Sequence, residues 1–121
     1  MAKVLGVGGV FFKSGNPTAL GQWYRDHLGM AVGEYGADFV PATMPDKGMT
    51  VWCPFAEDTQ YFSPSEKDFM FNLVVDDLAE ALKQVVAGGG QQVGEIVKES
   101  YGHFGWFLDP EGNKVELWQP M

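Results

Sequence analysis

The residues best suited to chemistry gather near the end of the chain. In "DPEGNKVELWQP", residues 109 to 120, a Pro-Glu-Gly-Asn turn leads into a strand whose alternation puts Lys114, Glu116 and Trp118 on one side and Val115 and Leu117 on the other. A carboxylate that shares its face with an ammonium and an indole can accept hydrogen bonds, ligate a metal or act as a general base. The other candidates are two imidazoles, His27 and His103, and one thiol, Cys53. His27 falls inside a helical apolar stripe and reads as structural. His103 sits in the glycine-flanked "SYGHFGW", a segment able to fold over a cavity mouth, and Cys53 reads as a small buried hydrophobe. A single cysteine excludes an intrachain disulfide and a cysteine-based metal cluster within one chain.

These groups must be positioned by a small domain. A chain of 121 residues with 45% hydrophobic content suits one compact unit with a real core, and it contains no apolar run long enough to span a membrane. The opening "MAKVLGVGGVFFK" is broken by glycines and followed by no cleavage-site pattern, so it reads as a strand, and a cytoplasmic location is expected. The net charge is −8 and Arg25 is the only arginine, which leaves little with which to track phosphates. Neither nucleic acid nor membrane is an expected partner.

Two helix signals are legible. Asn16 and Pro17 open the first, Leu20, Trp23, Tyr24, His27 and Leu28 form its stripe, and Gly29 stops it. Asp77 opens the second, with Leu78, Ala81, Leu82, Val85 and Val86 as the stripe and Gly88-Gly89-Gly90 as the stop. Each follows an apolar strand, "VLGVGGVFFK" or "FMFNLVV", and each precedes shorter β-like pieces. The N-caps Asn16 and Asp77 stand 61 residues apart, and the turn glycines Gly48 and Gly112 stand 64 apart, so the chain reads as a repeat. The expected organisation is a single domain of α+β class made of two βαβββ modules. The first covers about residues 1–56 and the second about 68–121, joined by a polar linker over about 57–67.

The strand, the capped helix ending in "WYRDHLGM", the following strands and a second copy closing on "YGHFGWFLDPEGNKVELWQP" together resemble the vicinal oxygen chelate superfamily. That superfamily includes glyoxalase I, bleomycin-resistance proteins and extradiol dioxygenases, and the resemblance spans essentially the whole chain. It is nearest to the small glyoxalase-like proteins. The resemblance implies sheets that close around a concave cavity, with metal-ligand positions on the first and last strand of each half. Here those positions read Gly9, Trp52, Met70 and Glu116. Glycine has no side chain, an indole offers only a donor and a thioether prefers soft ions, so the usual His/Glu cage is missing. No cofactor is expected, typical metal-dependent glyoxalase I activity is not expected, and a divalent metal in a non-standard site is the alternative.

If those four positions face inward, strand parity adds Phe11, Asn72, Lys114 and Trp118 to the same face, while Phe71, Leu73, Val115 and Leu117 pack against the helices. Glu116 is then the catalytic candidate. Phe11, Trp52, Met70, Asn72, Lys114, Trp118 and His103 are the ligand-binding candidates. Trp23 and Trp106 are left to the core or to a subunit contact, and the linker residues Tyr61 and Phe62 are undecided between pocket and interface. A largely apolar cavity with a few polar groups points to a small, planar or aromatic ligand, held without metal in a homodimer. The alternative is a lyase, isomerase or dioxygenase that uses Glu116 as base or as ligand of a non-standard metal.

Overall fold

The computed structural model describes residues 1–3, 5 and 7–121. Helix α1 spans Pro17–Leu28: the Asn16 side chain accepts from the Ala19 amide at its start, Pro17 takes the first helical position, and Gly29 closes it with φ of 62°. Helix α2 spans Leu78–Ala87, with the Asp77 side chain accepting from the Glu80 amide. Strands β1 (Phe71–Val74), β2 (Gln91–Glu99), β3 (Gly102–Leu108) and β4 (Lys114–Pro120) form one sheet in the order β1-β4-β3-β2. β1 runs parallel to β4 across the α2 crossover, and β3 is antiparallel to both β4 and β2.

One face of this sheet carries both helices. Phe107, Val115 and Leu117 are fully buried there against Leu78, Ala81, Leu82 and Val85 of α2 and Leu20 and Tyr24 of α1. Each such apolar side chain contributes about 1.5–3 kcal/mol by leaving water. Gly105 lets α2 approach closely, since a Cβ at that position would lie 2.7 Å from Leu82 Cδ1. α1 is anchored by polar contacts as well. The Trp23 indole donates to the Gly88 carbonyl at 2.8 Å, and the Tyr24 hydroxyl donates to Asp109 at 2.9 Å. His27 stacks at an angle on Trp23, 5.3 Å between centroids, so its role is structural, as its helical spacing predicts.

The mixed α+β architecture is as expected, but the first half differs from its repeat mate. Among the described residues 1–70 there are α1, a 3-10 turn at Pro41–Thr43 and an isolated bridge between Gly33 and Gly36, with no strand. Positions 4 and 6 of the anticipated opening strand lie outside the described residues. A strand exists only through the neighbour that satisfies its backbone, and among the described residues the segments at 7–13 and 49–55 have none. Meanwhile α1 lies on the core of the second half. Cys53, expected to be buried, is therefore exposed. Among the described residues no helix is long and apolar enough to cross a membrane.

Candidate functional site

The site is set by register on the sheet face opposite the helices. The turn after β3 is closed by Asp109, whose side chain accepts from the Glu111 and Asn113 amides, and by Gly112 at φ of 77°. That hairpin aligns Leu108 with Lys114 and hence Trp106 with Glu116, while the parallel pairing of β1 aligns Asn72 with Glu116. Glu116 thus lies between Asn72 on one neighbouring strand and Trp106 on the other. Asn72 Nδ2 donates to Oε1 at 2.7 Å and Trp106 Nε1 donates to Oε2 at 2.9 Å.

A third donor arrives from outside the sheet. The linker folds back so that the Tyr61 hydroxyl donates to Glu116 Oε2 at 2.5 Å, and Lys114 Nζ donates to the Tyr61 carbonyl at 2.6 Å. The ammonium also lies 5.1 Å from the Tyr61 ring centroid and 5.9 Å from that of Trp106, a cation–π arrangement. Partial burial, then the hydrogen bond and charge of Glu116, push the Tyr61 phenol up to about 12. Desolvation pulls the Lys114 ammonium below the usual lysine range, with the Glu116 charge opposing it. Beside this cluster opens a depression of about 270 Å³, lined by Tyr61, Val97, Glu99, Tyr101, Phe104, Trp106 and Glu116.

Of the residues singled out in the sequence, Glu116, Asn72 and Lys114 come together here. Trp118 follows on the same face of β4, buried and stacked on Phe104 at 6.2 Å, which makes it packing beneath the wall. Met70 is half-buried, one residue before β1. Phe11 and Trp52 are not brought to the site: they are 96% and 78% exposed, on segments that form no strand among the described residues. His103 is turned away as well. It pairs with Gln119, whose side chain accepts from the Leu78 amide on the helix-bearing face.

Trp106, Tyr101, Phe104 and Glu99 line the depression although sequence reasoning does not select them for a site, and Tyr61 is a linker residue it leaves undecided between pocket and interface. Trp106 carried a usable signal, because the hairpin closed at Asp109–Asn113 pairs it with Glu116. Nothing local decides Tyr61, since only the folded chain returns the linker to the sheet.

The groups around Glu116 do not fit a divalent metal. Indole N–H, amide N–H and phenol all present protons to the carboxylate, whereas a metal requires lone pairs from several convergent side chains. Among the described residues no three His, Cys, Asp or Glu side chains converge.

The chain matches the family model of the glyoxalase-like domain over residues 9–118, and it belongs to that family. It is thereby a small member of the vicinal oxygen chelate superfamily, also called the glyoxalase/bleomycin resistance/dioxygenase superfamily. Two solved structures with TM-scores above 0.5 share the fold at low identity. A glyoxalase-related enzyme from Fulvimarina pelagi is 18% identical with a TM-score of 0.57, over 96% of this chain and 88% of that one. An integron cassette protein from V. cholerae is 17% identical with a TM-score of 0.51, over 86% of each chain. A superfamily member from Sphaerobacter thermophilus is 26% identical with a TM-score of 0.37, and the alignment spans only 40% of each chain. No curated protein matches the sequence.

Proposed function

We propose that this glyoxalase-like chain binds a small, planar or aromatic organic ligand at the Glu116 face of its sheet, without a resident metal, and that two copies of the chain pair. The observation that carries the reading is the placement of Glu116 in a wall of Tyr61, Phe104 and Trp106, beside Tyr101. A mostly apolar surface with a few convergent polar groups is the usual form of a small-molecule site. Aromatic side chains supply contact area and stacking, while Glu116 and Asn72 fix orientation.

The test is a titration with the neutral planar dye N-phenyl-1-naphthylamine. Micromolar binding that weakens about tenfold in Trp106→Ala, a loss of the size expected for one aromatic anchor, is the expected result. Binding that ignores both Trp106→Ala and Tyr61→Ala would remove the site.

A second reading is favoured by the 2.5 Å contact between the Tyr61 hydroxyl and Glu116. That pair sets a carboxylate and a phenolic proton at one edge of the depression, a base and an acid of the kind that isomerisation or elimination at an acidic carbon requires. The readings separate simply: catalysis requires turnover that vanishes in Glu116→Gln, and sequestration requires binding that depends on the rings with no turnover at all.

A further inference from the structure

The depression has a charge as well as a shape. Four of its lining residues are aromatic and arranged as two edge-to-face pairs: Tyr61 with Trp106 at 6.3 Å and 86°, and Tyr101 with Phe104 at 5.8 Å and 65°. Two others, Glu99 and Glu116, are carboxylates, and no cationic side chain lines it. Lys114, whose ammonium lies over the Tyr61 and Trp106 rings, is held by the Tyr61 carbonyl and offsets the charge of Glu116. Among the described residues Glu99 has no such partner in the lining. Lys98, its sequence neighbour, falls on the other face by strand alternation. The chain as a whole adds a net charge of −8.

Resting on the reading that this face binds a small molecule, we infer that the occupant is an organic cation: a methylated ammonium or protonated amine joined to a flat ring. Aromatic faces attract a poorly hydrated cation through their quadrupole, and a methylated ammonium gives up little hydration on entering. Glu99 supplies the charge that a neutral ring would not need. An anionic ligand meets two carboxylates and is repelled. Lys114 shows the same preference from within the chain, since its ammonium already rests against Tyr61 and Trp106. The volume of about 270 Å³ lies just below the range of about 300–1,000 Å³ found for drug-sized ligands, in keeping with a small aromatic occupant.

Three probes of one shape test this in the full-length chain by equilibrium dialysis: (4-hydroxyphenyl)trimethylammonium, its neutral isostere 4-tert-butylphenol and the anionic 4-hydroxybenzenesulfonate. The cation should bind about tenfold or more tighter than the isostere, and the sulfonate should not bind measurably. In Glu99→Gln, a change at an exposed strand position that leaves the fold intact, the cation should lose most of that advantage while the neutral probe is unaffected. Equal or tighter binding of the neutral or anionic probe overturns the inference and leaves the aromatic site standing, as does a cation preference indifferent to Glu99→Gln. Failure of all three probes to bind overturns the inference and the underlying binding site together.

Discussion

Glu116 accepts from an amide, an indole and a phenol, all of them donors. Replacing it by Gln turns one acceptor oxygen into an N–H2 group facing at least one of those donors, at a cost of about 1–3 kcal/mol. Glu116→Gln should therefore keep the native circular dichroism spectrum, unfold at a somewhat lower denaturant concentration and alter ligand binding or turnover. A fully native midpoint with unchanged binding would mean that the carboxylate does neither job. The Tyr61 phenol gives a pH signature. Its value is raised from 10.0 to about 12 in the fold, so below pH 10 both folded and unfolded chains keep the proton. Between about pH 10 and 12 the unfolded chain releases it first, and this part of the stability is lost as pH rises. Tyr61→Phe should show a smaller loss of stability than the parent between pH 9 and pH 11 in denaturant titrations. Identical alkaline losses would place Tyr61 in bulk solvent, away from Glu116.

The β3–β4 hairpin serves both faces of the sheet. Its register pairs Trp106 with Glu116 on the site face, and its turn grips the first helix on the other side. Glu111 accepts from the Ser14 hydroxyl and the Gly15 and Asn16 amides, and Asp109 accepts from Tyr24. The hydrogen bond from Ser14, ahead of those from the two amides, holds the Glu111 carboxyl below its usual range. Tyr24→Phe removes a buried donor to a buried carboxylate and should cost about 1.5–3 kcal/mol in chemical denaturation. Gly105 lies close beneath α2, because an added Cβ meets Leu82 at 2.7 Å. Gly105→Val should destabilise by about 1–3 kcal/mol through overpacking and should shift the strands that carry Trp106 and Glu116. A neutral effect on unfolding would show that α2 packs more loosely than this spacing implies.

At the scale of the whole molecule, the apolar surface is unevenly spread. Val10, Phe11, Phe39, Val40, Met49, Val51, Trp52 and Phe55 are all at least 45% exposed, and all belong to the first half. Aromatic residues bury about 150–250 Å² each when covered, so Phe11, Phe39, Trp52 and Phe55 alone approach the roughly 800 Å² per partner of a specific interface. A symmetric pair of chains is the simplest cover, because the same patch then serves both copies. Light scattering at micromolar concentration should give about twice the 13.3 kDa chain mass. Trp52→Asp should shift the population toward the single chain. A 13.3 kDa species alone in the parent would defeat the pairing.

Local rules were enough for much of this molecule. The helix ends follow from Asn16, Pro17, Gly29 and Asp77, since caps are satisfied by neighbours within a few residues. The burial of Val115 and Leu117, and the placement of Glu116 on the face away from them, follow from the two-residue period of a strand. The family was legible for the same reason: its signature at 109–117 is a turn and a strand that need no distant partner to be read. What the tertiary structure alone decided depends on groups far apart in sequence. Tyr61 reaches Glu116 across 55 residues, and α1 leaves its own half to cover Phe107. Phe11 and Trp52 share the parity of the site yet stand in solvent, because alternation chooses a face of a strand and only a paired neighbour makes the strand.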